Sequence, residues 1–371
     1  MEIEIFTEFN EDLKALWGAF DLRSNSLPFH SYEWQRYWNE QVGQPKYNMA
    51  ICVVICTVDS QVRAIFPFGI NLSMGARVLS FLGAEEADYG APLLATNVDS
   101  NEFKDIWAAV LRFIPRHDVV FFRNMPKNIN KGYNFLIENI KTKESGISYS
   151  TTLPESFDDY SFRLSKSMLK DNRRMIRRLS EIGELTFKVI EKPEEFEETI
   201  KILISQKEAR YTLRGARNIF HSKHIKNFYI NMVTLLNRGF NIHLSVLMLD
   251  DEILATHLGI LHRDRFYYLM PTFNHDEKWA KFSLGRIHLE RLINWTIDNH
   301  IKKFDFTIGG ESYKNNWCDS EMVIYDHFKL RSPRGVFYFL YSLVLEFIKS
   351  NPTLKRLVVK FFSLCHRIKN K

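Results

Sequence analysis

The sequence predicts an α/β protein with mixed α+β sheets, built from two similar domains and followed by a helical C-terminal extension. At 371 residues the chain is too long for one typical core and suits two domains of roughly 150–200 residues each. Apolar runs rich in β-branched residues alternate with segments of helical periodicity. A hairpin pattern centred on Asp59 and Ser60 recurs half a chain later at Asp250 and Asp251, which favours a duplicated unit.

The first domain, residues 1–150, is predicted to contain a meander of strands between helices. The polar link 58–61 predicts a hairpin turn, and residues 145–159 combine Gly, Ser, Thr and Pro with little periodicity. The domain boundary is therefore placed in that segment. Strands are predicted at 2–6, 49–57, 62–72, 77–82 and 118–123, and helices at 12–20, 32–41, 103–113 and 132–140.

The second domain, residues 151–333, repeats the order of a meander, a helix and a further strand. Gly183 is a stop signal for the first helix, and Pro193 lies early enough to begin the next one. Helices are predicted at 166–182, 193–211, 222–237 and 283–299, and strands at 185–190, 243–249, 253–261, 265–271, 303–308 and 322–330.

Composition excludes several classes of protein. Hydrophobic residues make up 45% and charged residues 25%, which is typical of a globular protein. The four cysteines form no CxxC pair, so neither a metal site nor a disulfide framework is predicted. The N-terminus lacks the pattern of a secretory signal, and no run reaches the ~20 apolar residues of a membrane span. A cytoplasmic protein is predicted.

The net charge of +6 is concentrated near the C-terminal end of the sequence. Residues 327–371 contain ten Lys or Arg and one acid, Glu346, giving +9, whereas the remaining residues sum to −3. Residues 334–371 are predicted to form a basic amphipathic helical tail, in which apolar residues 336–348 precede a mixed apolar and basic segment at 354–368. The tail is predicted to contact an anionic inner membrane surface. For its first segment, however, packing on the core is the preferred interpretation.

A candidate anion site lies where the second meander gives way to a helix. Free backbone N–H groups and the helix dipole favour a pyrophosphate at such a position. Lys281 and Arg286 bracket the loop and could meet phosphate oxygens. An ordinary capped helix after a loop would give the same pattern. We assign donor binding to the residues of this loop: Lys281, Phe282, Ser283, Leu284, Gly285 and Arg286.

His257 is the candidate general base. Strand alternation places it on one face with Ala255 and Gly259, whose small side chains would leave room for a ligand beside the imidazole. A neutral imidazole can remove a proton from an amine or hydroxyl near neutral pH. The alternative is a core histidine whose nitrogens are hydrogen-bonded within the protein.

The run 304–317, FDFTIGGESYKNNW, carries further candidate catalytic residues. Asp305 alternates with two phenylalanines, and a buried acid there needs a partner. It could orient a histidine, accept from substrate, pair with Lys314 or cap the following glycines. Tyr313 and Lys314 offer a phenol proton and a positive charge for a leaving thiolate or an oxyanion. Alternatively, these side chains only attach the strand to the turn.

A dense basic face is predicted on helix 166–182, which includes Arg174. Such a face suits an anionic ligand, for example a nucleotide-linked sugar, tRNA or a phospholipid, or it is simply solvated. No recognised nucleic-acid-binding motif is present, so nucleic acid is not an expected partner.

Several motifs occur together in a characteristic order. They are Phe81-Leu-Gly83 with Asp88-Tyr89, the basic stretch 165–179, Ile253-Leu-Ala-Thr-His-Leu-Gly259, Phe266-Tyr-Tyr268, Phe282-Ser-Leu-Gly285 and the run 304–317. In this order they resemble the bacterial GNAT-type acetyltransferases associated with cellulose and exopolysaccharide biosynthesis, the CelD or BcsL family, over most of the chain. The run 304–317 is the most specific of them.

The resemblance implies tandem GNAT-like domains, as in the Fem peptidyltransferases, with a degenerate first domain and the donor bound mainly by the second. It implies acyl-CoA, in particular acetyl-CoA, or an acyl carrier protein as donor, and no metal. It also implies substrate binding by Asp88, Tyr89, Arg174 and Tyr268. The sequence departs from the family where Ser283-Leu284-Gly285 replaces Pro-Gly, and it lacks the Gln/Arg-x-x-Gly-x-Gly/Ala pattern of single-domain GNAT enzymes.

The predicted function is acyl transfer from a CoA or carrier-protein thioester to an amino or hydroxyl group of a sugar or polysaccharide-pathway intermediate. In this prediction His257 acts as base, Asp305 orients or assists, and Tyr313 or Lys314 stabilises charge. Two alternatives are a Fem-like transferase that depends on aminoacyl-tRNA, and a non-catalytic accessory of polysaccharide assembly at the membrane surface.

Overall fold

A computed structural model describes residues 1–83, 86–130, 132–238 and 240–350, which form one large mixed sheet covered by helices. The strands before residue 153 are β1 (Glu2–Phe6), β2 (Ala50–Val58), β3 (Gln61–Ser73), β4 (Ala76–Phe81), β5 (Leu93–Leu94), β6 (Val119–Pro126), β7 (Asn128–Ile129), β8 (Gly132–Tyr133) and β9 (Lys143–Thr152). Those after it are β10 (Leu185–Val189), β11 (Asn241–Leu249), β12 (Glu252–His262), β13 (Arg265–Phe273), β14 (Lys303–Ile308) and β15 (Ser320–Leu330).

The helices lie mainly between the strands of each half. The α-helices are α1 (Glu11–Asp21), α2 (Tyr32–Trp38), α3 (Gln44–Tyr47), α4 (Ser100–Phe113), α5 (Leu136–Asn139), α6 (Phe157–Ser161), α7 (Lys166–Ser180), α8 (Pro193–Arg214), α9 (Lys223–Ile230), α10 (Leu284–Asp298) and α11 (Pro333–Ser350). Short 3₁₀ segments are Pro28–His30, Ile219–His221, Asn231–Arg238, Glu277–Phe282 and Ser312–Asn316, and Asn39–Gly43 forms a π turn.

The two halves share the centre of the sheet. Within the described residues it has thirteen strands, in the order β1-β2-β3-β4-β6-β15-β9-β14-β13-β12-β11-β10, with β5 paired to β3. Strand β15 from the end of the chain is thus inserted between β6 and β9, and β9 pairs with β14. Because of this exchange, neither half completes the centre of the sheet with its own strands alone.

The predicted fold class is confirmed, and the sheet contains a repeated unit. Strands β2–β3–β4 and β11–β12–β13 are antiparallel meanders, and each is followed by a long helix, α4 or α10. The next strand pairs parallel with the last strand of the meander, β6 with β4 and β14 with β13. Turn residues Asp59 and Asp250 both have positive φ, which two-residue hairpin turns require.

Three predicted elements differ in the structure. Residues 145–152, expected in a linker, belong to β9, because pairing with β15 and β14 on its two sides stabilises an extended segment of weak intrinsic preference. The helix expected at 132–140 is divided between β8 and α5. The helix expected at 222–237 ends as α9 at Ile230 and continues as a 3₁₀ segment. The domain boundary at residue 150 stays a prediction.

The predicted C-terminal extension begins with α11. Among the described residues, no helix combines the length and apolarity needed to cross a bilayer. The second predicted helix of the tail, residues 354–368, lies outside the described part of the chain.

A buried hydrogen-bonded group links the halves near the centre of the sheet. The Tyr89 hydroxyl, from the first half, donates to Asp305 Oδ1 over 2.8 Å. Arg265 of β13 pairs with Oδ2 of the same carboxylate at 3.1 Å. The backbone N–H of Thr307 also donates to Asp305, at 2.9 Å. Asp305 is only 2% exposed, so these donors replace the water that it loses on folding.

We expect Asp305→Asn to lower the free energy of unfolding by about 3 kcal/mol, because it leaves the Arg265 guanidinium, with 14% of its side chain exposed, without its carboxylate. Urea unfolding measures this change. Asp251→Asn in an exposed turn is the matched control and should change stability by less than about 0.5 kcal/mol. Equal stability of the two variants would show that the hydrogen bonds of Asp305 do not stabilise the contact between the halves.

Candidate active site

A cavity of about 780 Å³ lies between β13, the start of α10 and the turn after β14. This volume is in the range of small-molecule and cofactor sites. Of the residues predicted for donor binding, Ser283, Leu284, Gly285 and Arg286 line it. The other two, Lys281 and Phe282, do not line the cavity. Lys281 is exposed over the ring of Phe282, which is buried behind the cavity against Trp279.

The cavity exists because two neighbouring parallel strands separate. Strands β13 and β14 pair over three positions, of which the last is Tyr267 with Asp305. Beyond it no further pairing between them is described, and Tyr268, Pro271 and Thr272 of β13 line the cavity. The Tyr268 carbonyl accepts from the Thr307 hydroxyl at 3.5 Å, whereas the backbone groups of β13 that face the gap beyond it are available to an extended ligand.

The N-terminus of α10 opens into this cavity without a side-chain cap. Ser283, at the cap position, has φ 54° and its hydroxyl accepts no helix N–H. No described group accepts from the amides of Leu284 and Gly285. The repeated unit of the first half differs, since the Asp99 carboxylate caps α4 by accepting from Asn101 and Glu102. A negative side chain thus occupies this position in the first half and leaves it open to an anion in the second.

Cations on α8 face the cavity. Arg210 and Arg214 line it, and neither has a carboxylate partner among the described residues. Half-buried Lys207 lies one turn earlier, and burial, followed by repulsion from Arg210, lowers its pKa to about 8. Arg286, the predicted phosphate ligand, instead bonds to Asp171 and Asn172 of α7. The unpaired positive charge at this cavity therefore comes from α8.

Asp88 provides an acid beside the cations. It follows β4 and is half-buried between the halves of the protein. Burial raises the pKa of Asp88 to about 6, whereas a hydrogen bond from Thr307 and the charge of Lys314 oppose that rise. Its charge also acts on Lys207 of α8. A carboxylate with such a pKa is a better proton acceptor at neutral pH than an ordinary aspartate.

The backbone after Asp305 is strained where it meets Asp88. Thr307 has φ 56°, and the register between β14 and β9 shifts there by one residue. A β-branched residue in this region is an outlier that a protein tolerates only when its surroundings fix it, commonly at a functional site. Gly309 has φ 156°, which residues with a Cβ rarely adopt, and a Cβ there would displace the Glu311 carboxylate from its place beside Lys314.

The remaining predicted residues of the run 304–317 divide between the cavity and the protein interior. Tyr313 lines the cavity together with Tyr268, and burial, followed by the charge of Glu311, raises the pKa of Tyr313. Lys314 is buried, donates to the carbonyl of Ile308 at 3.1 Å and pairs with Glu311 at 3.2 Å. Tyr313 can therefore reach a ligand directly, whereas Lys314 acts through its charge on Glu311 and Asp88.

His257 does not line the cavity. Its ring is fully buried and stacks on Tyr268 with centroids 4.2 Å apart, and Phe266 lies beside it. No described group hydrogen-bonds to either ring nitrogen. Burial, then repulsion from His243, lowers its pKa well below the usual value. The small neighbour Gly259 admits the carbonyl of Tyr267 rather than a ligand, because a Cβ there would lie 2.7 Å from that oxygen.

Other predicted substrate residues lie outside the cavity lining. Arg174 is exposed on α7 and pairs with Asp171 at 2.5 Å. Tyr89 donates to Asp305 and thereby positions its neighbour Asp88.

The α8 cations and His288 were not among the site residues predicted from the sequence. The spacing of Lys207, Arg210 and Arg214 (i, i+3, i+7) places them on one helix face, which was a usable signal. His288 lines the cavity and contacts the Ser245 hydroxyl at 3.1 Å, and burial lowers its pKa to about 3. Because His288 lies in the apolar stripe of α10, the sequence did not indicate that it lines the cavity.

Comparison with known proteins supports the assignment of the second half. Residues 166–315 match the family model described as an acetyltransferase (GNAT) domain, and domains of this type use an acyl-CoA co-substrate. This protein is accordingly an acyltransferase enzyme. The match includes α8, the strained turn and every cavity-lining residue except Ser165, Asn316 and Trp317, but not Asp88. No curated protein sequence matches the chain significantly.

Solved structures support the tandem GNAT-like fold. FemX has a TM-score of 0.60 at 10% identity, covering 92% of this chain and 99% of its own. A conserved protein of unknown function from Bacteroides thetaiotaomicron has a TM-score of 0.55 at 12% identity, covering 89% and 100%. L-PGS from Bacillus licheniformis has 0.51 at 12%, covering 91% and 97%. At such identities the likeness concerns the fold alone.

We expect His257→Leu to leave activity within about threefold and stability within about 1 kcal/mol of the unchanged protein. The substitution removes two buried nitrogens without partners while nearly conserving volume. Steady-state rates and urea unfolding measure the two effects. A loss of activity of about a hundredfold in a folded variant would instead establish His257 as the base.

Proposed function

We propose that this acyltransferase moves an acyl group from acyl-CoA, in particular acetyl-CoA, to an amino group of a sugar or a polysaccharide-pathway intermediate. The observation that carries the proposal is the uncapped N-terminus of α10, which opens into a large cavity beside unpaired arginines. The half-buried Asp88 does not line this cavity, but its charge acts on Lys207, one turn before Arg210 on α8.

The residues around the cavity fit a donor with a pyrophosphate and an extended arm. The free amides of Leu284 and Gly285 would hold the pyrophosphate at the positive end of the helix dipole. Arg210 and Arg214 would add charge-assisted hydrogen bonds to phosphate oxygens. Open backbone positions of β13 after Tyr267 would hold the amides of the arm. Bound in this way, the donor supplies a thioester as the activated acyl group.

Asp88 is the proposed proton acceptor. An amine must lose a proton as it becomes an amide, and a carboxylate with a pKa near 6 is mostly ionised at neutral pH. Tyr89 fixes the position of Asp88 through its bond to Asp305. The acid limb of the pH–rate profile would then depend on Asp88, which lies outside the residues that match the GNAT domain.

Tyr313 is the proposed proton donor to the leaving sulfur. Its raised pKa keeps the phenol protonated at neutral pH, and it lines the donor cavity. A phenol placed at the position where negative charge develops stabilises that charge more than water would. The proton given up by the acceptor and the proton taken by the sulfur thus pass through different residues.

The choice of a sugar as acceptor rests on the motif resemblance described for the sequence, which implies an amino or hydroxyl group, and Asp88 as proton acceptor suits the amine. A relationship to the CelD or BcsL family stays a prediction. An acyl carrier protein is a second source of the same thioester, and it would dock at the cavity mouth.

A second candidate function follows from the basic face of α7. Six exposed cations lie on the helix whose N-terminal residues Ser165 and Ser167 line the cavity: Lys166, Lys170, Arg173, Arg174, Arg177 and Arg178. This placement favours a donor carried on RNA, as in an aminoacyl-tRNA-dependent transferase. Activity with acyl-CoA that survives ribonuclease treatment excludes it, whereas activity that requires aminoacyl-tRNA establishes it.

The pair Ser283→Asp and Ser283→Asn tests the donor site by charge alone. Both side chains tolerate positive φ, but only aspartate places a carboxylate at the start of α10, as Asp99 does in the first half. We expect the dissociation constant for CoA in calorimetry to rise about tenfold or more for Ser283→Asp, and to stay within about threefold for Ser283→Asn. Equal affinities would place the anion elsewhere.

The pH dependence of kcat tests Asp88. The base must be ionised, so we expect kcat to fall as pH drops through about 6 and to level off above it. Asp88→Asn should lower kcat by roughly 10²–10⁴-fold and remove the acid limb. Glu311→Gln, which changes the local charge equally, should cost less than about tenfold and keep that limb. An unchanged acid limb in Asp88→Asn would assign the titration to another group.

A further inference from the structure

The outer face of α11 is apolar and exposed over residues 336–344. Along the helix, side chains that turn away from the sheet are 37–63% exposed, among them Phe337 at 63% and Leu340 at 55%. At 100° per residue, Val336, Phe337, Leu340, Tyr341, Leu343 and Val344 form one continuous stripe. The opposite face packs on the protein through Tyr338 and Phe339. The predicted packing of this segment on the core is thus seen for its inner face, whereas membrane contact stays a prediction for its outer face.

The inner face of α11 adjoins a second cavity. Phe339 contacts Phe328 of β15 with ring centroids 5.4 Å apart. Phe328 lines a groove of about 410 Å³ whose floor is apolar and includes Trp107 and Phe122. The groove lies near the C-terminal end of α4, so it is not the counterpart of the donor cavity, which opens at the N-terminus of α10.

The polar residues that line this groove are three cations, two histidines and Asn139. Lys141, Lys329 and Arg331 line it, and its lining contains no Asp or Glu. Arg334 stands at the start of α11. Within the described part of the chain, Lys141, Lys329 and Arg331 form no ion pair with a carboxylate, whereas Arg334 lies near Asp118 and helps to lower the pKa of that carboxyl. An apolar face bordered by unpaired positive charge matches a surface with an apolar interior and anionic head groups.

We propose that α11 and this groove form a docking surface for an anionic lipid bilayer, with the outer face of α11 lying in the head-group region. A second copy of the chain is disfavoured, because a two-fold contact would bring the same cations together without acids to neutralise them. The sequence that follows α11 adds charge of the same sign, since residues 351–371 contain six Lys or Arg and no Asp or Glu.

Co-sedimentation with vesicles tests this surface. We expect the full chain to bind vesicles that contain phosphatidylglycerol at least about tenfold more strongly than vesicles of phosphatidylcholine alone, and added salt to weaken that binding. Phe337→Ser with Leu340→Ser should lower the affinity by about tenfold or more. Neutralising Lys329, Arg331 and Arg334 to glutamine should lower it by at least about tenfold.

Two matched controls separate this face from general stickiness. Leu213→Ser with Leu72→Ser removes two apolar side chains that are 69% and 65% exposed elsewhere, and it should leave vesicle binding unchanged. Arg173→Gln, Arg178→Gln and Lys170→Gln on α7 remove the same charge and should have less than about a threefold effect. Vesicle binding that is unchanged in the α11 variants overturns the proposal. Dimerisation through α11 in sedimentation velocity, in the absence of vesicle binding, also overturns it.

Discussion

The arrangement of the candidate site depends on one buried carboxylate. Asp305 accepts from Tyr89 of the first half, from Arg265 of β13 and from the backbone of Thr307. Because Tyr89 is adjacent to Asp88, the bond to Asp305 fixes the position of Asp88 against the second half. Because Thr307 is held in a left-handed conformation, the chain turns away from β13 there and leaves the gap that becomes the donor cavity. One charge centre thus positions both sides of the proposed reaction.

The repeated unit explains why the two halves can share a fold and differ in chemistry. In the first half, α4 begins at a carboxylate cap, Asp99. The positive end of its dipole is therefore already neutralised. In the second half the same position is Ser283, in a left-handed conformation and without a cap. The first half instead contributes an acid, Asp88, and strand β9. Each half therefore lacks a component that the other supplies.

The sequence predicted the fold better than the site. Periodicity and hairpin signals are local, so β11–β13, α7, α8 and α10 were found close to their observed bounds. Strand β9 was missed because its Ser- and Thr-rich sequence is extended only by pairing with strands distant in the chain. His257 was favoured because strand alternation shows which residues share a face but not what covers that face. In the structure, the aromatic rings of Tyr268 and Phe266 cover it.

Asp88, Asp305 and Lys314 were each predicted from the sequence, but their proximity to one another and to Lys207 could not be, for the same reason. Asp88, Lys207 and Asp305 lie far apart in the sequence and meet only through the exchange of strands between the halves.

A crystal structure with a non-hydrolysable acyl-CoA analogue tests the proposed site most directly. We expect pyrophosphate density at the amides of Leu284 and Gly285, with the acyl group directed toward Asp88 and Thr307. Density at the start of α4, or an acyl group that points away from Asp88, would contradict it.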